Sequence, residues 1–195
     1  MEDMNLPNQL TMARCVLAVF FVVFMSFDNT AWYATAYVLF AAAAITDYYD
    51  GKIARERNLI SNFGKLMDPV ADKVLMVAAF VMMMRMQELH LPGWTVVAIL
   101  GREFLITGAR SLAAAEGLVL PANAYGKAKT VIQMVFVFVF LALAILQRLV
   151  FGGGHSAWLH YFSMWGIIAV SVYTVYSGAQ FGWANWKALK LHDAG

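Results

Sequence analysis

The chain has 195 residues, a formal net charge of +2, an apolar fraction of 62% and a charged fraction of only 13%. Average soluble domains are about 45–50% apolar and ~25% charged, and a soluble fold this apolar would expose large greasy patches. These values exclude a disordered chain, a basic nucleic-acid binder and an ordinary soluble enzyme, and leave an integral membrane protein built as one domain over residues 1–195.

The apolar residues form continuous runs such as Val131 to Leu146. A membrane β-barrel would instead alternate polar and apolar positions, so the expected class is all-α. The first stretch runs from Leu10 to Phe27. Glu2 and Asp3 stand where a signal peptide would be basic, so this segment reads as a retained helix. Cys15 lies within it and reads as a buried structural thiol; a lone cysteine excludes a disulfide within the chain and any multi-cysteine metal site. Asp28-Asn29 breaks the pattern before a second stretch, Trp32 to Ile45. A third runs from Leu66 to Met86 and ends before Pro92-Gly93. The fourth, Trp94 to Ala115, carries Arg102, Glu103 and Arg110; Pro121 follows it. The fifth is Val131 to Phe151, closed by Gly152-Gly153-Gly154, and the sixth is Trp158 to Tyr176. A spanning helix needs roughly 20 residues, and the expectation is six transmembrane helices.

Basic residues set the orientation. Arg14, Lys52, Arg55, Arg57, Lys65, Lys73, Lys127, Lys129, Lys187 and Lys190 fall on one side of such a six-helix layout, and only Arg85 and Arg148 on the other. The first side is therefore expected in the cytoplasm, with both termini. Trp32, Trp94, Trp158, Trp183 and Trp186 lie near helix ends and read as an interfacial belt.

The chemistry concentrates between Asp47 and Asp72, which reads DYYDGKIARERNLISNFGKLMDPVAD. Asp47 and Asp50 are three apart, and Asp68 and Asp72 four apart, so each pair shares a helical face. Four carboxylates brought together cannot all stay ionised without compensation. Mg²⁺ or Mn²⁺ would supply it, because hard cations take oxygen ligands. Four carboxylates suit two ions, the arrangement used for phosphoryl displacement. Gly51, Ala54 and Gly64 would let a ligand approach the backbone, and Arg55 would neutralise a phosphate.

The spacing is D-x2-D-G-x2-A-R-x8-G-x3-D-x3-D, filled without departure by Asp47, Asp50, Gly51, Ala54, Arg55, Gly64, Asp68 and Asp72. In this the chain resembles the CDP-alcohol phosphotransferase family, and the six-helix plan extends the resemblance over nearly the whole length. The resemblance implies that Asp47, Asp50 and Asp68 bind the metal ions, and that Asp72 contacts metal and is the general base. It implies that the CDP moiety is bound by Gly51, Ala54, Arg55 and Gly64 beside Asp47, Asp50 and Asp68. The reaction implied is displacement of CMP from a CDP-linked substrate by an alcohol. Members of the family are commonly homodimers, and Gly178 and Gly182 form a GxxxG spacing suited to close helix contact.

The acceptor is read from a second, basic cluster. Charges within an apolar stretch are costly and usually functional. Glu103, Thr107 and Arg110 share a helical face, Arg102 has Glu103 as a candidate partner, and Lys127 and Lys129 precede the fifth stretch. A clamp of three or more cations points to a phosphorylated acceptor. The segments NLPNQLTMAR (Asn5 to Arg14), GREFLITGAR (Gly101 to Arg110) and GKAKT (Gly126 to Thr130) look like the branch of the family that uses glycerol 3-phosphate. That resemblance puts Asn8, Thr11 and Arg14 near the nucleotide or lipid phosphate. Thr11 is equally a candidate cap of the first helix. The acceptor phosphate is expected to meet Arg14, Arg102, Thr107, Arg110, Lys127 and Lys129.

The expected activity is transfer of a phosphatidyl group from CDP-diacylglycerol to sn-glycerol 3-phosphate, at the cytoplasmic face of a bacterial inner membrane. Rival readings are a sibling enzyme acting on inositol phosphate, serine or phosphatidylglycerol, a divalent-metal transporter, and a non-catalytic membrane scaffold. No role is expected for a nucleic acid, and His90, His155, His160 and His192 are given no catalytic part.

Overall fold

A computed structural model describes residues 6–57, 62–115, 117–118, 120, 124–152 and 156–190, with side chains over 11–46, 73–115, 117–118, 120, 124–152 and 156–186. Among these residues there are six α-helices and no strand: α1 (Leu6–Met25), α2 (Thr30–Arg57), α3 (Asn62–Met83), α4 (Gly93–Ala115), α5 (Ala124–Phe151) and α6 (Ala157–Lys190). The all-α class follows the continuous apolar runs.

The helix ends have local causes. α1 stops where the Ser26 hydroxyl donates to the Val22 carbonyl (2.7 Å). α2 starts because the Asn29 side-chain oxygen accepts the Ala31 N–H at 2.8 Å, which satisfies an otherwise orphan donor of the first turn. Gly152 closes α5 with φ of 72°, a conformation that favours glycine. The apolar runs misjudge several helix bounds, and α5 begins at Ala124, seven residues before Val131. α2 continues past Ile45 to Arg57 and α6 past Tyr176 to Lys190, because charged residues in α2 and Ser, Gly, Gln and Asn in α6 interrupt an apolar run without ending the helix. α3 ends at Met83, short of Met86.

The chain divides into two compact units, one of Met1–Glu88 with Phe140–His155 and one of Leu89–Val139 with Ser156–Gly195. In the first unit, α1 packs on α2 and α3. The buried face of α1 is Thr11, Arg14, Ala18, Phe21 and Met25, at the alternating three- and four-residue spacing of one helical stripe. In the second unit, α4 packs on α6. There Ala113, Leu120 and Phe181 form a cluster with Ile106 and Leu118. The buried face of α6 is partly polar, with Ser163, Ser171, Thr174 and Ser177. Such small hydroxyl residues serve as hydrogen-bonding contacts between helices in an apolar medium: Ser163 Oγ accepts the His90 N–H (2.8 Å), and Gln133 donates to Thr174 Oγ1 (3.0 Å).

Among the described residues two helices, Ala124–Phe151 and the Ala157–Trp186 part of α6, are long and apolar enough to cross a membrane. All five belt tryptophans, Trp32, Trp94, Trp158, Trp183 and Trp186, are exposed. Cys15 is only partly buried, which corrects the expectation of an interior thiol.

Candidate functional site

The acidic segment is divided between two helices of the first unit. Asp47 and Asp50 lie on α2, and Asp68 and Asp72 on α3. Pro69 also falls inside α3 and, lacking an N–H, leaves the Lys65 carbonyl without its i+4 donor. Side-chain placements at Asn8, Asp47, Asp50, Gly51, Ala54, Arg55, Gly64, Asp68 and Asp72 lie outside those described.

Helix register nonetheless sets the level of this segment. α1 and α2 are joined by only Ser26 to Asn29, so they run antiparallel. Phe21 meets Phe40 with ring centroids 5.8 Å apart, and Phe24 stacks on Trp32 at 5.1 Å. From the Phe21–Phe40 contact, seven residues back along α1 reach Arg14, and seven forward along α2 reach Asp47, each a step of about 10 Å. Thr11 is level with Asp50 by the same register. Thr11 and Arg14 are each only 1% exposed, so α1 presents a buried hydroxyl and a buried guanidinium at the level of the α2 aspartates. Thr11 is the sixth residue of α1 and not its cap, which overturns that alternative.

The basic cluster belongs to the second unit, and the structure divides it. Arg110 and Lys127 are exposed, Thr107 is half-buried and Lys129 is buried. Arg102 is nearly covered, and its Nη1 lies 3.6 Å from Glu103 Oε1. The same carboxylate oxygen accepts from Lys129 Nζ. The sequence suggested the Arg102–Glu103 neighbourhood, but the link from Glu103 to Lys129 spans 26 residues and left no signal in the local spacing.

A further charged cluster escaped sequence reading. Arg148, counted above as an exterior positive charge, is largely covered in the first unit, its side chain 10% exposed. Its Nε lies 2.5 Å from Oε1 of the fully buried Glu88, and its Nη2 lies 2.5 Å from Asp28 Oδ1. The guanidinium covers the Tyr33 ring at 4.5 Å, and the Tyr33 hydroxyl donates to Asp28 at 3.2 Å. Glu88 was the available signal: a lone acid in the apolar segment between the third and fourth stretches.

The family model of CDP-alcohol phosphatidyltransferases matches residues 4–175. This chain belongs to that family. The matched span contains every candidate residue of the CDP-alcohol phosphatidyltransferase site, from Asn8 to Lys129. Among its relatives is a CDP-diacylglycerol–glycerol-3-phosphate 3-phosphatidyltransferase of Bacillus subtilis (strain 168), 37% identical over 202 aligned positions that cover 97% of this chain and 99% of the relative. Family members under the same name from Rickettsia felis and Rickettsia prowazekii are each 37% identical over 133 positions, covering 68% of this chain and 72% of theirs.

Proposed function

We propose that this chain is a membrane enzyme that transfers the phosphatidyl group of CDP-diacylglycerol to sn-glycerol 3-phosphate, releasing CMP and forming phosphatidylglycerol phosphate. The observation that carries the reading is the end-to-end similarity to the Bacillus subtilis relative of that name. The intact eight-position pattern on α2 and α3 supports the same chemistry.

Six membrane spans with both termini cytoplasmic complete the reading. It is supported by large apolar side chains exposed on every helix, among them Phe20, Val38, Val81, Leu105, Val135 and Trp165, and by the skew of Lys and Arg to one side. α4 misses the composition of a simple span because it carries Arg102, Glu103 and Arg110.

The donor set of Asp47, Asp50, Asp68 and Asp72 fits Mg²⁺ or Mn²⁺, since all four ligands are hard oxygens. Two such ions would offset the charge on the pyrophosphate and on the departing CMP. Asp72 is assigned as the general base. The acceptor hydroxyl gives its proton to the Asp72 carboxylate as its oxygen bonds to the lipid-side phosphorus. The bond from that phosphorus to the CMP phosphate oxygen breaks, and CMP leaves with the electron pair. Asn8, Thr11, Gly51, Ala54, Arg55 and Gly64 hold the nucleotide. Arg14, Arg102, Thr107, Arg110, Lys127 and Lys129 neutralise the acceptor phosphate.

A homodimer is supported by the end of α6. A Cβ added at Gly182 meets nothing within 4 Å, and Ala179, Gly182, Trp183 and Trp186 line an open groove of about 550 Å³.

The test is CMP release by purified protein in detergent with Mg²⁺, CDP-diacylglycerol and one acceptor at a time. Release with glycerol 3-phosphate alone is expected. Release with inositol phosphate, serine or phosphatidylglycerol instead would keep the family and overturn the acceptor. Metal uptake into liposomes without any CMP release would favour the transporter.

A further inference from the structure

Arg102 and Lys129 bring two cations into the interior of the second unit, with side chains 9% and 8% exposed. Both meet Oε1 of Glu103. Glu103 therefore holds both cations at one carboxylate oxygen. Arg102 Nε is buried and has no hydrogen-bond partner among the described residues. Guanidinium edges are suited to oxyanions, which they grip with parallel N–H donors.

α6 explains how Arg102 reaches this position. A Cβ built at Gly178 would lie 2.9 Å from Arg102 Cγ and 3.4 Å from its Nε. Cγ is near the root of the side chain, so any larger residue at 178 must displace the whole arm. One glycine of the GxxxG spacing is thus occupied within the monomer, where it seats an arginine rather than a partner helix.

We propose that Glu103 and Gly178 are positioning residues for the acceptor phosphate. Glu103 gathers Lys129 and Arg102 at one carboxylate oxygen. Gly178 admits the arginine stem and its Nε against α6, which turns the Nη end of the guanidinium toward Glu103 and Lys129. The phosphate then meets both cations at one place, where Arg102 Nη1 stands 3.6 Å from Glu103 Oε1, beyond ordinary hydrogen-bond length. This rests on the reading of Arg102 and Lys129 as acceptor ligands given above.

The test compares Glu103→Gln, Glu103→Asp and Gly178→Ala with the unaltered protein, measuring kcat and the KM of each substrate from CMP release. The expected result for Glu103→Gln and Gly178→Ala is an acceptor KM raised at least tenfold, with the KM for CDP-diacylglycerol changed less than twofold. Glu103→Asp restores part of the loss, because it keeps the charge on a shorter arm. A purely structural salt bridge would lower the yield of folded protein without this split between the two substrates. An unchanged acceptor KM in the folded variants overturns the proposal. So does a lowered one, which would make Glu103 a competitor of the phosphate. Should Glu103→Gln fail to fold, Gly178→Ala decides by the same split. Failure of the acceptor assignment shows separately and first: unaltered protein that ignores glycerol 3-phosphate but uses an unphosphorylated alcohol overturns both.

Discussion

Arg148 is held by Glu88 on one side, Asp28 on another and the Tyr33 ring beneath it. The two carboxylates have different surroundings, and this predicts different consequences of removing each. Glu88 is buried; Asp28 is 67% exposed at its side chain. Glu88→Gln breaks a buried pair and leaves a covered guanidinium short of an anion, so a loss of about 3–5 kcal/mol is expected. Asp28→Asn touches an exposed partner and is expected to cost ~1 kcal/mol or less. Unfolding of the detergent-solubilised variants measures both, and equal losses would contradict the burial argument. Asp28 also confers a pH dependence. Its hydrogen bond from Arg148, reinforced by the guanidinium charge and the Tyr33 hydroxyl, holds the carboxyl below the usual carboxylate range. The group therefore binds its proton more weakly folded than unfolded. Its stabilisation is present above the ordinary carboxylate pKa of about 3.9 and is lost as the pH falls through the lowered folded-state value. Melting temperature followed from neutral to acid pH should show a shallower acid loss in Asp28→Asn than in the unaltered protein.

At the scale of the elements, six apolar stretches announced six helices, because burial and lipid contact both demand continuous apolar residues. The missing parts are polar. The aspartate-bearing turns of α2 and the last turns of α6 continue the helix while polar residues and glycines break the apolar run. The same reason makes the contact between Glu103 on α4 and Lys129 on α5 illegible, along with the stacking of His90 on His160 at 4.4 Å. Each joins positions far apart in the chain, and local periodicity carries no information on which helix meets which. The aspartate pattern was legible because its spacing is local and its placement on two helices follows. Asp72 lies one turn beyond Asp68 on α3, and in the proposed reaction it takes the acceptor's proton and does not hold the nucleotide. Asp72→Asn is expected to lower CMP release at least a hundredfold, with CDP-diacylglycerol binding retained in equilibrium measurements. Near-normal turnover in that variant would remove Asp72 from the role.

For the molecule as a whole, orientation depends on the unequal distribution of basic residues, and two of these prove not to be simple surface anchors. Arg14 and Lys129 are buried, so their presence on the expected cytoplasmic side reflects the site as well as the positive-inside tendency. Arg148 on the opposite side is spent on Glu88 and Asp28. Removing all three from the count leaves eight basic residues against Arg85 alone, so the bias survives the correction. The arrangement can be tested with impermeant maleimide on intact cells, in a Cys15→Ser background that removes the native thiol. Arg85→Cys lies in the α3–α4 connection, Ser156→Cys precedes α6, and Ala124→Cys opens α5. Labelling from outside is expected at positions 85 and 156, and at 124 only after permeabilisation. Labelling of 124 from outside together with 156 would mean that α5 does not cross the bilayer. Labelling of 124 alone would invert the protein and put the aspartates of α2 and α3 on the wrong side for a cytoplasmic acceptor.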